Sequence, residues 1–378
     1  MNRSAFTLAL VCTYLVGCDN GEPLGAAAKD AAVALEAPVA TRAETVLTVT
    51  SDEAGFYLVS FEIGEGTTSM MVDIANITNG TPVSVVELYD PRGDVVVTDR
   101  DLDVTRLSSL ALYPTGHTAQ LPYPVAADAP AQLLAGEWTV LFGLYTLEGA
   151  RVRQSHIDAV VRIVTKADPD PAQGRLDVHV VYVDGIEEDE ALIEGVSDAI
   201  AQWQRFAAKT HGLRVGVRTS VADATLKSPF IGAPAYAELS AHAQPYELTI
   251  LVGDVFDNAL LLGQAGGIPG SLAPSTRTGM GIAVRSIAGV DGELNADEVR
   301  TLSQVFAHEV GHYLGLKHVV EGNYESYDDL DDTAECIDQA QCEALLASNL
   351  MYPYSLGAIQ RALTDNQLVV AHRALAVD

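Results

Sequence analysis

Between positions 308 and 318 the chain reads His-Glu-Val-Gly-His-Tyr-Leu-Gly-Leu-Lys-His. Residues four apart on an α-helix lie about 40° apart in azimuth and about 6 Å apart along the axis, so the imidazoles of His308 and His312 point the same way and can grip one metal ion. Glu309, beside the first of them, can reach a metal-bound water without occupying the metal, the geometry of a general base in metal-assisted hydrolysis. On an unbroken helix His318 would lie roughly 280° round from His308 and some 15 Å further along, too far to share the ion. A break is therefore expected, and Gly315 is where a left-handed C-terminal turn costs least and swings His318 back. Three neutral imidazoles leave one tetrahedral position for water, the mark of a catalytic rather than a structural zinc site. From this chain's own residue usage the whole pattern would arise by chance about once in 40,000 sequences of this length.

These residues need a helix and a scaffold. Asn295 is placed to N-cap the helix, with Glu298 in capping-box position and Val305, Phe306 and Leu316 supplying apolar positions. Upstream, Asp168-Pro169-Asp170-Pro171 reads as a stiff polar boundary. After it come a strand over Leu176–Val183 and a helix from Asp189 to Lys209, with Leu192, Val196, Ile200, Trp203 and Phe206 on one face. Strands over Leu213–Thr219 and Glu247–Val252, a glycine-rich segment from Gly263 to Gly281, and a short strand over Gly281–Val284 follow. That order implies an α/β or α+β sheet with its first helix across it. Before the boundary, short β-rich runs at Val46–Thr50, Phe56–Ile63, Met70–Ile77, Val83–Tyr89, Val95–Thr98, Trp138–Tyr145 and Ala159–Thr165 imply an all-β sandwich or barrel. Pro91-Arg92-Gly93-Asp94 between two of them reads as turn chemistry.

His308, Glu309, His312, Gly315 and His318 resemble the extended zinc signature of the metzincin clan of metalloendopeptidases, and Asn349-Leu350-Met351-Tyr352 looks like that clan's Met-turn. The resemblance spans roughly Leu176 to Asp378, with specific motifs only between His308 and Tyr354. It implies a multidomain chain in which an N-terminal all-β sandwich precedes an α+β catalytic domain with a mixed sheet, an active-site helix, the Met-turn and a C-terminal helix over about Leu363–Leu375. It also implies Zn2+ held by His308, His312 and His318, Glu309 as general base, Met351 as a soft floor beneath the ligands, and a protein or peptide substrate lying in the cleft as an added strand. Some members place a tyrosine two residues after the methionine as a zinc or transition-state ligand. Here that position is Pro353, leaving Tyr352 and Tyr354 on either side as candidates for the role. No cysteine between the leader and the catalytic half is available to cap the zinc.

Arg3, the apolar stretch Ala5–Val16 and Gly17 before Cys18 have signal-peptide anatomy, too short to span a bilayer. Leu15-Val16-Gly17-Cys18 resembles the lipobox of bacterial lipoproteins, which implies export to the cell envelope and anchoring to a membrane through acylated Cys18. The boundaries are then a signal peptide over 1–17, a tether over 18–44, a β-sandwich accessory domain over 45–166 and the catalytic domain over 175–378. With Cys12 and Cys18 in the leader, Cys336 and Cys342 are left either as a local disulfide, expected in an oxidising compartment, or as two free thiols on a turn. The 378 residues hold 51 acids against 22 lysines and arginines, a formal charge of −29 that disfavours nucleic-acid partners. Glu325, Asp328, Asp329, Asp331, Asp332, Glu335, Asp338 and Glu343 crowd the stretch before Met351. Ca2+ with oxygen ligands, attraction of basic substrates, or simple solvation would each use such acids, and the same holds for Asp99, Asp101 and Asp103. A catalytically inactive surface-binding lipoprotein and a zinc hydrolase of a non-peptide bond are the alternative readings.

Overall fold

The computed structural model describes residues 40–98, 118–124, 131–146, 149–168, 172–222, 243–254, 256, 260–272, 278–289, 291–354 and 359–378. The expectations about the leader, Cys12, Cys18, most of the tether and Asp99, Asp101 and Asp103 lie outside the described residues.

The first half builds two four-stranded sheets. Strands β1 (Thr41–Thr50), β2 (Phe56–Ile63), β3 (Thr67–Asn76), β4 (Val83–Tyr89), β5 (Val95–Thr98), β6 (Thr118–Tyr123), β7 (Gly136–Leu144) and β8 (Asp158–Ala167) pair in the orders β1-β8-β3-β6 and β2-β7-β4-β5, antiparallel throughout. Strand β2 shows why: Tyr57, Val59, Phe61 and Ile63 are buried while Leu58, Ser60 and Glu62 face out, the period of a half-buried strand. Inward side chains of both sheets, Val59, Phe61, Val72, Ile74, Trp138 and Val161 among them, form one hydrophobic cluster. Two differences from the sequence reading have plain causes. Strand β1 begins at Thr41 rather than Val46, because Thr41 to Thr45 pair by backbone with Ala167 to Ile163 and need no apolar run to do so. Strand β6 was hidden by Pro122, which a central strand would reject; β6 lies at the sheet edge, where a missing N–H is tolerated.

The second half is a five-stranded mixed sheet with helices. Strands β9 (Gly174–Tyr182), β10 (Leu213–Val221), β11 (Leu248–Gly253), β12 (Gly263–Ala265) and β13 (Met280–Ala283) take the order β10-β9-β11-β13-β12. All pairings are parallel except β12 with β13, so β12 is an antiparallel edge. Helices α1 (Glu190–Thr210), α2 (Val284–Ala288), α3 (Ala296–Tyr313), α4 (Gln339–Leu346) and α5 (Asp365–Arg373) complete it. Asp189 N-caps α1, whose Trp203 stacks on Phe306 of α3 at 5.9 Å between ring centroids. The whole is a mixed α/β, multi-sheet protein with few helices. Among the described residues no helix is long and apolar enough to cross a membrane.

The two halves meet at the C-terminal end of α5. Four consecutive carbonyls at and just past that end accept from side chains of the two-sheet half. Lys166 donates to His372 O (2.6 Å) and Ala374 O (3.4 Å), Ser69 to Arg373 O (2.8 Å) and Arg42 to Leu375 O (2.6 Å). Met71 and Val164 add an apolar contact with Leu375.

Candidate metal centre and cleft

Helix α3 begins as its sequence requires. Asn295 accepts from the N–H groups of Asp297 and Glu298, and Glu298 accepts from Asn295 N at 2.8 Å, closing the capping box. Leu302, Phe306, Val310 and Tyr313 are buried in the main core, while His308, Glu309 and His312 border a cleft of about 600 Å³. The helix stops at Tyr313. Gly315 takes φ 107°, its N–H bonds His312 O at 2.9 Å, and Leu316 N bonds Gly311 O at 2.9 Å, the paired bonds of a Schellman turn. The chain then returns, Val319 N reaches Met351 O at 3.2 Å, and His318 comes to face the other two imidazoles.

The three rings converge through like atoms. His318 Nε2 lies 3.3 Å from His308 Nε2 and 3.1 Å from His312 Nε2. A tetrahedral ion with Zn–N bonds of about 2.0–2.1 Å would space its nitrogens roughly 3.3–3.4 Å apart, so this donor set fits zinc. The opposite nitrogens fix the tautomers. His308 Nδ1 is 2.7 Å from Leu350 O, His312 Nδ1 is 2.7 Å from Leu316 O, and His318 Nδ1 is 3.2 Å from a carboxylate oxygen of Glu321. All three partners only accept, so each Nδ1 carries the hydrogen and each Nε2 turns a lone pair toward the others. Burial, with His318 beside it, pushes His308 down to about 4; burial and both neighbouring histidines hold His312 well below the ordinary range. Three facing lone pairs at this spacing repel, and a cation among them removes the repulsion.

Glu309 is 7% exposed and packs against Gly263 of the edge strand β12. Burial raises its carboxyl to about 8, opposed by a hydrogen bond from the backbone of Ala265. Beneath α3, Met351 is fully buried, and a Cβ on Gly311 would stand 2.5 Å from its sulfur, so the small residue inside the histidine motif makes room for the methionine. The turn that carries Met351 is tied by Asn349, whose side chain accepts from Met351 N at 2.8 Å and donates to Gln367 at 2.9 Å.

Tyr352 and Tyr354 both line the cleft, the first buried and the second 41% exposed. Cys336 and Cys342 form a disulfide with Cα atoms 5.2 Å apart, joined to the main core rather than on a surface turn. Among the described residues only His308, His312 and His318 bring metal-ligating atoms together. Several acids before Met351 serve the loop itself: Asp328 accepts from Thr333 and from Leu330 N, Asp329 pairs with Lys317 at 3.0 Å, and Asp338 N-caps α4. Sequence reading missed Glu321, which touches a ligand, and the carbonyls of Leu316 and Leu350, which leave no residue-type signal.

No protein-family model matches the chain, and no curated protein matches it. Among solved structures it is similar in part to metalloproteinase-II from Bacteroides fragilis, at 13% identity and a TM-score of 0.32 over 56% of this chain. The chain spans 62% of that protein's length, less than two thirds. It is also similar to a zinc-dependent peptidase from Methanocorpusculum labreanum, at 13% identity and a TM-score of 0.30, over 51% of this chain and 99% of that one. Archaemetzincin from Archaeoglobus fulgidus follows at 14% identity and a TM-score of 0.24, over 44% and 99%.

Proposed function

We propose that the chain is a zinc-dependent metalloendopeptidase. The observation that carries this reading is the convergence of three Nε2 lone pairs, at 3.1 and 3.3 Å, beside a buried glutamate in an open cleft. His308, His312 and His318 would hold the ion, which when bound supplies Lewis-acid activation of the scissile carbonyl and of water. Glu309 holds and moves the proton. Its carboxylate takes one from the attacking water as the carbon–oxygen bond forms, then gives it to the amide nitrogen as the carbon–nitrogen bond breaks. Met351 and Leu350 position α3 and His308, and Tyr352 and Tyr354 are the cleft's candidates for bonding the developing oxyanion.

The separate sheets and hydrophobic clusters of the two halves support a division into domains, and the sequence Leu15–Cys18 alone carries the membrane reading. Residues 45–166 act as a β-sandwich accessory domain, 175–378 as a metzincin-like catalytic domain, and the lipobox-like Leu15–Cys18 anchors the exported protein to a membrane. The test is direct. Protein lacking residues 1–18 should hold one zinc per chain and cut unfolded protein, chelation should abolish cutting, and Glu309→Gln should keep the zinc while losing at least about 100-fold in rate. A zinc-loaded wild type that cuts nothing the variant does not would reject the peptidase function and leave hydrolysis of another bond, or binding alone.

A further inference from the structure

Resting on that zinc reading, we propose that Glu321 is a positioning residue for the metal centre, the carboxylate that orients His318 and strengthens it as a ligand. The three imidazoles are not held alike. His308 and His312 are held at Nδ1 by main-chain carbonyls, whereas His318 Nδ1 lies 3.2 and 3.3 Å from the two oxygens of Glu321. His318 is also the ligand that α3 does not carry, so helix geometry fixes two rings and leaves the third to its surroundings.

The main chain around Glu321 is tied down. Val319 and Val320 are fully buried, Val320 bridges to Tyr327, Glu321 N bonds Ser326 O at 2.8 Å, and Tyr324 N bonds Glu321 O at 2.9 Å. The small hairpin over 320–327 thus fixes the main chain of Glu321, whose side chain, 53% exposed, extends from it to His318 Nδ1. Two of its features are visible in the sequence: the acid stands three residues after the ligand, and Asn323 turns the hairpin by accepting from Glu325 N and Ser326 N. An anionic acceptor on Nδ1–H fixes the tautomer, draws the hydrogen away and raises electron density at Nε2, the atom that would meet the ion. It also brings a negative charge to a site whose three ligands are neutral.

Zinc affinity of the full chain, measured by competition with a chromogenic chelator, separates this role from a merely structural one. Glu321→Ala should weaken zinc binding about 10-fold or more, and Glu321→Gln, which keeps an acceptor without the charge, should fall between it and wild type. The urea midpoint of the metal-free protein should not move in either variant, and the cobalt-substituted visible spectrum should shift in both. The nearby Glu325→Gln should leave affinity unchanged. Equal affinity in wild type and Glu321→Ala overturns the proposal while leaving the zinc site intact, as does an equal loss in Glu325→Gln, which would point to the loop's general field. A wild type that binds no zinc overturns the metal-centre reading and this inference with it.

Discussion

Lys166 offers the sharpest test of how the two halves depend on each other. Its side chain is fully buried at the end of β8, and its ammonium lies 3.1 Å from the Asp168 carboxylate, itself only 2% exposed. The same ammonium donates to His372 O and Ala374 O, capping the end of α5. Desolvation pulls its pKa down and the Asp168 charge pulls it back, as expected for an ion retained by its partner. Lys166→Met keeps most of the volume, removes the charge, takes the ion pair away from Asp168 and removes a donor from His372 O and Ala374 O. Breaking a buried pair by removing one member costs about 3–5 kcal/mol, a large share of the roughly 5–15 kcal/mol that holds a domain folded. Lys166→Met/Asp168→Asn should recover part of that loss, since the buried carboxylate that lost its ion pair is gone. The assay is built in, because the chain has two tryptophans, Trp138 in the core of the two-sheet half and Trp203 between α1 and α3. In Trp138→Phe and Trp203→Phe backgrounds each half reports its own urea transition. The two should coincide with Lys166 present and separate in Lys166→Met, the Trp203 signal moving to lower urea. A loss below about 1 kcal/mol with transitions still coincident would refute the reasoning.

Two further outcomes follow from other buried contacts. Gly311→Ala should force the Met351 sulfur aside, costing about 1–3 kcal/mol by overpacking, and should weaken zinc retention; unfolding midpoints and bound zinc measure both, and an unchanged variant would place Met351 away from α3. Asp73 of β3 has its carboxyl raised to about 7 by burial, with Arg162 and Gln120 offsetting part of the effect. The folded state therefore binds this proton more tightly than the unfolded chain, whose carboxyl titrates near 4, so stability falls as pH rises from about 4 to about 7 and stays lower above it. Asp73→Asn should stabilise the protein by up to about 4 kcal/mol at pH 8 and hardly at all at pH 4. Equal urea midpoint shifts at both pH values would contradict this account.

Much of the centre was legible because its information is local. The capping box at Asn295, the i, i+4 histidines and the turn at Gly315 all act within one helix and its exit, where spacing translates directly into direction. Met351 needed a second stretch of chain, and only the pairing of two motifs raised it above core filler. Leu350's grip on His308 was invisible, since a carbonyl belongs to every residue and its aim depends on the turn made by Asn349. Strand positions followed from alternation, but the edge strand with Pro122 did not. Lys166 stood in the sequence only as the last residue of the first domain; its partner carbonyl lies 206 residues away, and no local pattern encodes that distance.

The route by which the histidines meet has a kinetic consequence. His308 and His312 can be aligned as soon as α3 forms, but His318 faces them only after the turn at Gly315 closes, and His308 is fixed only when Leu350, 42 residues on, has docked. On the proposed function, an unfolded chain of this protein is itself a peptide substrate at very high local concentration. Because the centre needs both the turn at Gly315 and the docking of Leu350, cutting power would arrive together with the fold that shields the chain from it.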